Sequence, residues 1–429
     1  MRFKTLALAS AMAACPWLAH AQTPTPPADL QAARTMLTLD AAWRLADAAH
    51  PALKAKQAQL AAAEGIRADA GAPLYNNPQI TLENTRRSVP QADHRSEWNA
   101  GIAQTFEIAG QRGHRLAASD AALTALRAEI DGTRLQLRVD VALAFFRVLA
   151  LQQRAEVDEE ALRLFESTAT AVQKRRMAGE DTRLDANVAA VEAERARNQV
   201  AIAREQLLEA RAELATRLQL PPGAAPQAAG DLAEKGSTHY TLEAMLSAVE
   251  AQPRLRALSA REVSANARLK LEQASRYPDV TVGLNMGREG PLDARERLTS
   301  LTVAVPLPLF KRNAGGIGQA SSELSQARIE REAATRDLRA QVYTLWAKVQ
   351  SLQARVRRLQ DAVLPALADN QQLSVKSQRA GQIGLLELIV VNRQALDARR
   401  DLIDALGDLQ AARYTLEAAA AWPQPGNQP

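Results

Sequence analysis

The chain has 429 residues, 47% hydrophobic, 24% charged and only 4% aromatic, with 53 basic against 48 acidic side chains. Twenty glycines and twenty prolines are too few for a collagen-like or disordered chain, and a single cysteine excludes a disulfide framework and a CxxC zinc or redox site. The excess of five positive charges falls to three once Arg2 and Lys4 leave with a cleaved leader, too little for a nucleic-acid surface.

Arg2 and Lys4 precede an apolar run from Thr5 to Ala14, Pro16 ends any helix, and Ala19-His20-Ala21 offers the small residues a signal peptidase needs. Residues 1–21 therefore read as a secretory signal cleaved after Ala21. A second reading makes Cys15, after Met12-Ala13-Ala14, the lipidated residue of a lipoprotein. Both readings export the chain. No later stretch reaches about 18 apolar residues, which argues against a transmembrane helix but says little about membrane-spanning strands.

After an N-terminal linker, 22–37, the chain repeats itself once. Thr38-Leu39-Asp40-Ala41 opens a helix that reaches Pro51, and Thr241-Leu242-Glu243-Ala244 does the same before Pro253. Each Thr is a helix N-cap with an acid in the following turn, and each Pro starts the next helix. Pro78-Gln79-Ile80-Thr81 is answered by Pro278-Asp279-Val280-Thr281, and Met177-Ala178-Gly179 by Arg379-Ala380-Gly381. Three landmarks in one order mark tandem copies at 38–220 and 239–422, joined by a Pro/Gly/Ala-rich linker at 221–238 and followed by a tail at 423–429.

Within each copy the hydrophobic period changes. Helical stretches end near Ala70 and Ser275, and two extended segments follow each. Segment 78–86 alternates Ile80 and Leu82 against Gln79, Thr81 and Glu83; in about 96–108, Trp98, Ala100, Ile102, Phe106 and Ile108 share one parity, interrupted by Gln104. Segment 278–287 alternates Val280, Val282, Leu284 and Met286, and about 296–305 completes the set. Period-2 alternation predicts strands apolar on one side, joined as hairpins by 87–95 and 288–295.

Long helices then take over. From Gly132 to Gly179 no Gly or Pro intervenes, and apolar positions recur near a 3.5 spacing through Leu123, Ile130, Leu137, Val141, Val148, Phe165 and Val172. A helix over about 114–177 would be about 95 Å long at 1.5 Å per residue. Further helices are expected from Gly179 to Leu220, from Gln319 to Ala380 with a kink candidate at Pro365, and from Leu385 to about Trp422, interrupted only by Gly407. Such seams mark antiparallel coiled-coil hairpins.

Four strands cannot close a barrel, since the smallest single-chain outer-membrane barrels have about eight, and open strand edges in lipid leave backbone groups unpaired. If these strands span a membrane, several protomers must share one barrel, and the charged helices must project into the periplasm.

Two copies of helix, strand, strand and long helical hairpin resemble the TolC family of outer-membrane efflux channels over nearly the whole mature chain, about 38–422. Gln104-Thr105-Phe106-Glu107-Ile108-Ala109-Gly110-Gln111-Arg112 resembles the stretch after the second strand in the heavy-metal (cobalt–zinc–cadmium) branch. Val305-Pro306-Leu307-Pro308-Leu309-Phe310 with Arg312-Asn313-Ala314-Gly315 is similar to its counterpart in the second copy. Arg379-Ala380-Gly381, Leu385-Leu386-Glu387 and Gln394-Ala395-Leu396 resemble the second periplasmic turn. The resemblance implies a mainly α fold with a small β part, a TolC-like α/β barrel in which four strands per protomer complete a shared barrel. It implies a homotrimer with twelve strands in the outer membrane lipid, a periplasmic adaptor (membrane fusion) protein and an inner-membrane RND-type pump as partners, and heavy-metal cations as substrates. Multidrug efflux or type I secretion is the alternative within the channel class; a pore-free periplasmic coiled-coil structural protein is the alternative outside it.

Chemistry is not evident. His20, His50, His94, His114 and His239 never pair at a helical ligand spacing, and His94 with Glu97 lacks a second histidine. Gly315-Gly316-Ile317-Gly318 lacks the GK[ST] ending of a phosphate loop and reads as a break between strand and helix. No nucleophile-elbow motif frames a triad. The expectation is a protein that is not an enzyme and has no cofactor and no metal site of its own. Two turns remain as candidate sites for adaptor docking and a periplasmic gate: Gly179, Glu180, Asp181, Thr182 and Asp185 in the first copy, and Gly381, Gln382, Gly384 and Glu387 in the second. Their glycines suit a helix end, and their acids are placed to meet the dipole of the next helix or, alternatively, to ring a pore. Trp98 and Phe106 are candidate membrane-interface anchors, with packing at the strand-to-helix transition as the other reading.

Overall fold

The computed structural model describes residues 36–87, 95–233, 241–290 and 295–422. The leader with Cys15, most of the N-terminal linker, the hairpin tips at 88–94 (with His94) and 291–294, residues 234–240 (with His239) and the tail lie outside the described residues.

Strand β1 (Met36–Leu37) leads into α1 (Leu39–Ala49), which Thr38 caps by accepting a hydrogen bond from the Ala41 N–H. His50 caps the next helix, α2 (Pro51–Gly71), and Pro51 occupies its first position, where a missing N–H costs nothing. Strands β2 (Gln79–Arg87) and β3 (Arg95–Phe106) form the first hairpin. Then α3 (Gln111–Met177) runs unbroken for 67 residues, about 100 Å, and α4 (Arg183–Arg217) returns beside it. After β4 (Gln227–Ala228) the second copy follows the same plan: α5 (Leu242–Ala248) capped by Thr241, a 3-10 turn, α6 (Pro253–Ala274), β5 (Val280–Glu289), β6 (Glu296–Ala304), α7 (Ala314–Arg358), α8 (Leu364–Arg379) and α9 (Leu385–Ala419).

The irregularity expected at Pro365 is a π turn, Leu359–Val363, between α7 and α8. Proline has no N–H and its ring collides with the carbonyl four residues back, so the helix widens just before it instead of stopping. The glycines at 315, 316 and 318 do not separate strand from helix: they lie within the first turns of α7. The chain is redirected just before α7, at Asn313, which takes a left-handed conformation (φ 54°) and donates to the Glu272 carbonyl at 3.0 Å.

The four long strands form one antiparallel sheet in the order β2-β3-β5-β6. Its central pairing joins the two copies, with Ile102 opposite Leu284. The helices that adjoin the strands, α2, α3, α6 and α7, all do so at one end of this sheet, where Gln79, Phe106, Val280 and Ala304 lie; Arg87, Arg95, Glu289 and Glu296 mark the other end. Near the sheet the helices form a row α2, α3, α6, α7 that repeats the strand order; farther away the row is α4, α3, α9, α8.

Where the rows exchange, the core is aromatic. The Trp43 indole N–H donates to the Arg138 carbonyl at 2.9 Å, and Tyr414 meets Trp43 edge-on and stacks on Phe146 at 5.3 Å. Here the two linkers turn out to be anchored. β1 pairs in parallel with β4, and the Gln152 amide both accepts from the Ala228 N–H and donates to the Ala228 carbonyl. Gln410 donates to the Leu232 carbonyl at 2.8 Å. Neither two-residue strand is announced by the sequence.

Candidate functional site

The sheet sorts its side chains by parity. On one face, in register across all four strands, stand Ile80, Ile102, Leu284 and Leu301, with Leu82, Ala100 and Met286 in the next row and Val282 beside Val303 in the row before. The opposite face carries Thr81, Glu83, Asn99, Gly101, Gly283, Asn285, Ser300 and Thr302. In a soluble sheet the apolar face would be covered. Here Ile80 is 73% and Leu82 79% exposed, and nothing of this chain packs over them. Such a face suits lipid, the polar face a wet lumen, and strands of 9–12 residues have the length a tilted transmembrane strand requires. Trp98 and Phe106 are both about half-exposed and lie near opposite ends of the apolar face. Among the described residues no helix is long and apolar enough to cross a membrane.

Below the sheet, Arg115 forks onto Glu107 through two hydrogen bonds of 2.6 and 2.9 Å and lies over the Tyr75 ring at 3.8 Å. The hydrogen bond to Glu107 raises the Arg115 pKa further, outweighing the opposing effect of burial. The Gln111 side chain accepts from the Ala109 N–H and donates to Asp279. This network ties the start of α3 to the end of β3 and to the residue preceding β5 in the second copy.

At the far end, α3 stops in a Schellman turn. Gly179 has φ +86°, its N–H donates to the Arg176 carbonyl, and the Glu180 N–H donates to the Arg175 carbonyl. The second copy repeats the turn: Gly381 has φ +70°, its N–H donates to Gln378 and that of Gln382 to Ser377. Thr182 and Asp185 then form a capping box that starts α4. The Thr182 hydroxyl and backbone N–H hold the Asp185 carboxyl below the usual range. Asp181 is bound to Arg175 at 2.8 Å. Gly384 stands at the cap position of α9 without a side chain to contribute, and Glu387 follows in its first turn, exposed, as is Glu180. The structure brings the two turns together: Leu385 packs against the cluster of Val172, Ala186 and Ala189. Around them Met177, Leu184 and Leu386 are exposed, a set of apolar residues that sequence reasoning did not single out. Their only signal in the sequence is position, since each stands within five residues of a helix-ending glycine.

No cluster of three or more His, Cys, Asp or Glu residues suited to a metal occurs among the described residues. A cleft of about 840 Å³ between α2, α3, α6 and α7 holds Glu129, but that carboxylate is occupied by Lys56 and Arg261. Burial alone would raise its pKa; the two cationic hydrogen bonds outweigh it and the net shift is downward.

The outer membrane efflux protein family matches this chain at residues 43–218 and 246–421. The cobalt-zinc-cadmium resistance protein CzcC of Cupriavidus metallidurans is 28% identical over 386 residues, which cover 89% of each chain. The pyoverdine export outer membrane protein OpmQ of Pseudomonas putida is 25% identical over 295 residues, 65% of this chain and 62% of that one. Among solved structures, CusC superposes with a TM-score of 0.72 at 18% identity (89% of this chain, 91% of that one), and VceC of Vibrio cholerae with 0.73 at 18% (89% and 95%). Helical hairpins hung from one end of a lipid-facing sheet are thus the TolC-like architecture, and the chain belongs to the outer membrane efflux protein family, whose members are export channels of the outer membrane.

Proposed function

We propose that three copies of this chain close one twelve-stranded barrel and that the resulting tube exports heavy-metal cations, received from a periplasmic adaptor and an inner-membrane RND-type pump. The observation that carries the assembly is the sheet with two open edges: β2 and β6 each have one neighbour, and their apolar faces are bare. In lipid an unpaired strand edge costs several kcal/mol per backbone group, so the edges must meet those of other copies. Cation export is supported by the cobalt-zinc-cadmium resistance relative, which aligns over 89% of the chain. The paired turns at Gly179 and Gly381 serve as the adaptor-docking end. Met177, Leu184 and Leu386 give it apolar contacts, and Glu180 and Glu387 face the passing cation, while Asp181, Thr182 and Asp185 hold the turn in shape.

The test pairs assembly with transport. Cross-linking of detergent-extracted protein should give trimers, and a deletion strain should accumulate zinc, cobalt or cadmium and become sensitive to them. Monomers alone would end the shared-barrel reading. Unchanged metal tolerance with accumulation of a siderophore would replace the metal reading by the one that the pyoverdine-exporting relative suggests.

A further inference from the structure

The apolar face of the sheet ends in arginines. Beyond Met286 on β5 the next residue of the same parity is Arg288; beyond Leu301 and Thr299 on β6 it is Arg297; beyond Leu82 and Asn84 on β2 it is Arg86. Arg288 and Arg297 stand directly opposite each other in the β5–β6 ladder, and Trp98 stands opposite Arg288 on the other side. All three arginines therefore project from the face that carries Ile80, Ile102, Leu284 and Leu301, at the end of the sheet away from the helices.

Two features make this arrangement unfavourable unless an anion is present. Like charges directly opposite in an antiparallel pair sit about 5 Å apart at Cβ and destabilise it. The nearest acids in the strands cannot help, because Glu97, Glu289 and Glu296 have the other parity and point to the other face. Among the described residues no ion pair joins Arg86, Arg288 or Arg297 to a carboxylate. The depth is set by the same chemistry: an arginine on the lipid face is costly at the midplane of the bilayer and nearly free at its surface. With the helices in the periplasm, the arginine end lies at the outer surface, level with the headgroups of the outer leaflet.

We propose that Arg288 and Arg297 bind the phosphate groups of the phosphorylated glucosamine lipid of the outer leaflet, with Trp98 packed beside the headgroup and Arg86, across β3 on the same face, adding to the positive field. Guanidinium groups match phosphate oxygens two at a time, and an indole is at home at the junction of sugar and acyl chain. The lipid would neutralise the opposed arginines and hold the hairpin end of the sheet at a defined depth. The inference rests on outer-membrane placement with the helices in the periplasm, not on the identity of the cargo.

The test uses the full-length protein in neutral detergent with purified bisphosphorylated lipid A as the probe, binding being read by native mass spectrometry. Wild type should bind it, and Arg288→Gln/Arg297→Gln should bind at least about tenfold more weakly, the loss expected of one or two charge-assisted hydrogen bonds. Dephosphorylated lipid A and phosphatidylethanolamine should bind both proteins equally weakly. Equal lipid A affinity in the two proteins overturns the proposal, as does phosphatidylethanolamine binding as tightly as lipid A, which would make the face merely greasy. Displacement of the lipid by millimolar inorganic phosphate would also overturn it in favour of a free-anion site. Should the double variant fail to assemble, Arg297→Gln alone reads the same effect; a weakening of about threefold supports the proposal and unchanged affinity refutes it.

Discussion

Arg400 of α9 reaches across to α3 and donates to the Asp158 carboxylate through Nε at 2.7 Å and Nη2 at 2.5 Å, and Asp158 is wholly buried. With Arg154–Asp404 and Arg399–Glu160, this pair links the first long hairpin to the second. The exposed members add little, but a buried carboxylate stripped of its partner is expensive. Arg400→Ala should destabilise the detergent-solubilised protein by about 3 kcal/mol, seen as a lower melting temperature. Asp158→Leu with Arg400→Leu should restore most of that loss, because the pair gains little over its own desolvation. A double variant as unstable as the single one would show that the ion pair itself holds the hairpins together.

The parity of the sheet makes a sharp contrast. Leu284→Arg places a charge in the middle of the apolar face and should cost about 2–4 kcal/mol in the membrane. Ser300→Arg, one row away on the polar face, should cost far less. The measurement is the yield of each variant in the outer-membrane fraction; equal yields would mean that the two faces are not lipid and lumen.

Glu129 provides a pH-dependent test. Its carboxyl is held below its ordinary value, so its contribution to stability is present above the unfolded carboxylate pKa of about 4.3 and is lost as pH falls through the lower folded value. Glu129→Gln should lower stability by about 1 kcal/mol at pH 7, a figure reduced for partial exposure, and by progressively less as acid takes the pH down through the lowered folded value. A difference that persisted unchanged into acid would assign the effect to packing instead of charge.

At the tips, Gly179 and Gly381 hold left-handed backbone in open space: a Cβ added at either would meet no atom within 4 Å. Valine at both positions should therefore cost backbone strain alone, about 1–2 kcal/mol each. Assembly in the outer membrane should survive while resistance to zinc, cobalt or cadmium is lost. Unchanged resistance would mean that the turns only reverse the chain; loss of assembled protein would show instead that they matter for folding.

Orientation is checked directly. A peptide tag inserted in 87–95 or 288–295 should be accessible to antibody on intact cells, since β2 and β5 end, and β3 and β6 begin, at the end of the sheet opposite the helices. Labelling only after permeabilisation of the outer membrane would invert the topology.

Local rules were enough to place most elements. Thr38 and Thr241 cap helices, Pro51 and Pro253 begin them, and Gly179 and Gly381 end them, because each acts through its own backbone geometry within one turn. Alternation identified three of the four long strands and told which side chains share a face within them; the fourth was expected as the partner of the third, and its Leu298 has the opposite parity to Leu301 and Val303. It did not determine which strand lies beside which. The β3–β5 pairing joins residues such as Thr105 and Thr281, whose hydroxyls meet at 2.8 Å across 176 positions of sequence, and no local period encodes such a partner. The same is true of the β1–β4 pairing at the linkers, the clasp of Asp158 by Arg400, and the opposition of Arg288 and Arg297. Periodicity specifies a face, because it follows from the geometry of a single strand or helix. Neighbours across the fold are selected only when competing faces are packed together, and only the tertiary structure records that choice.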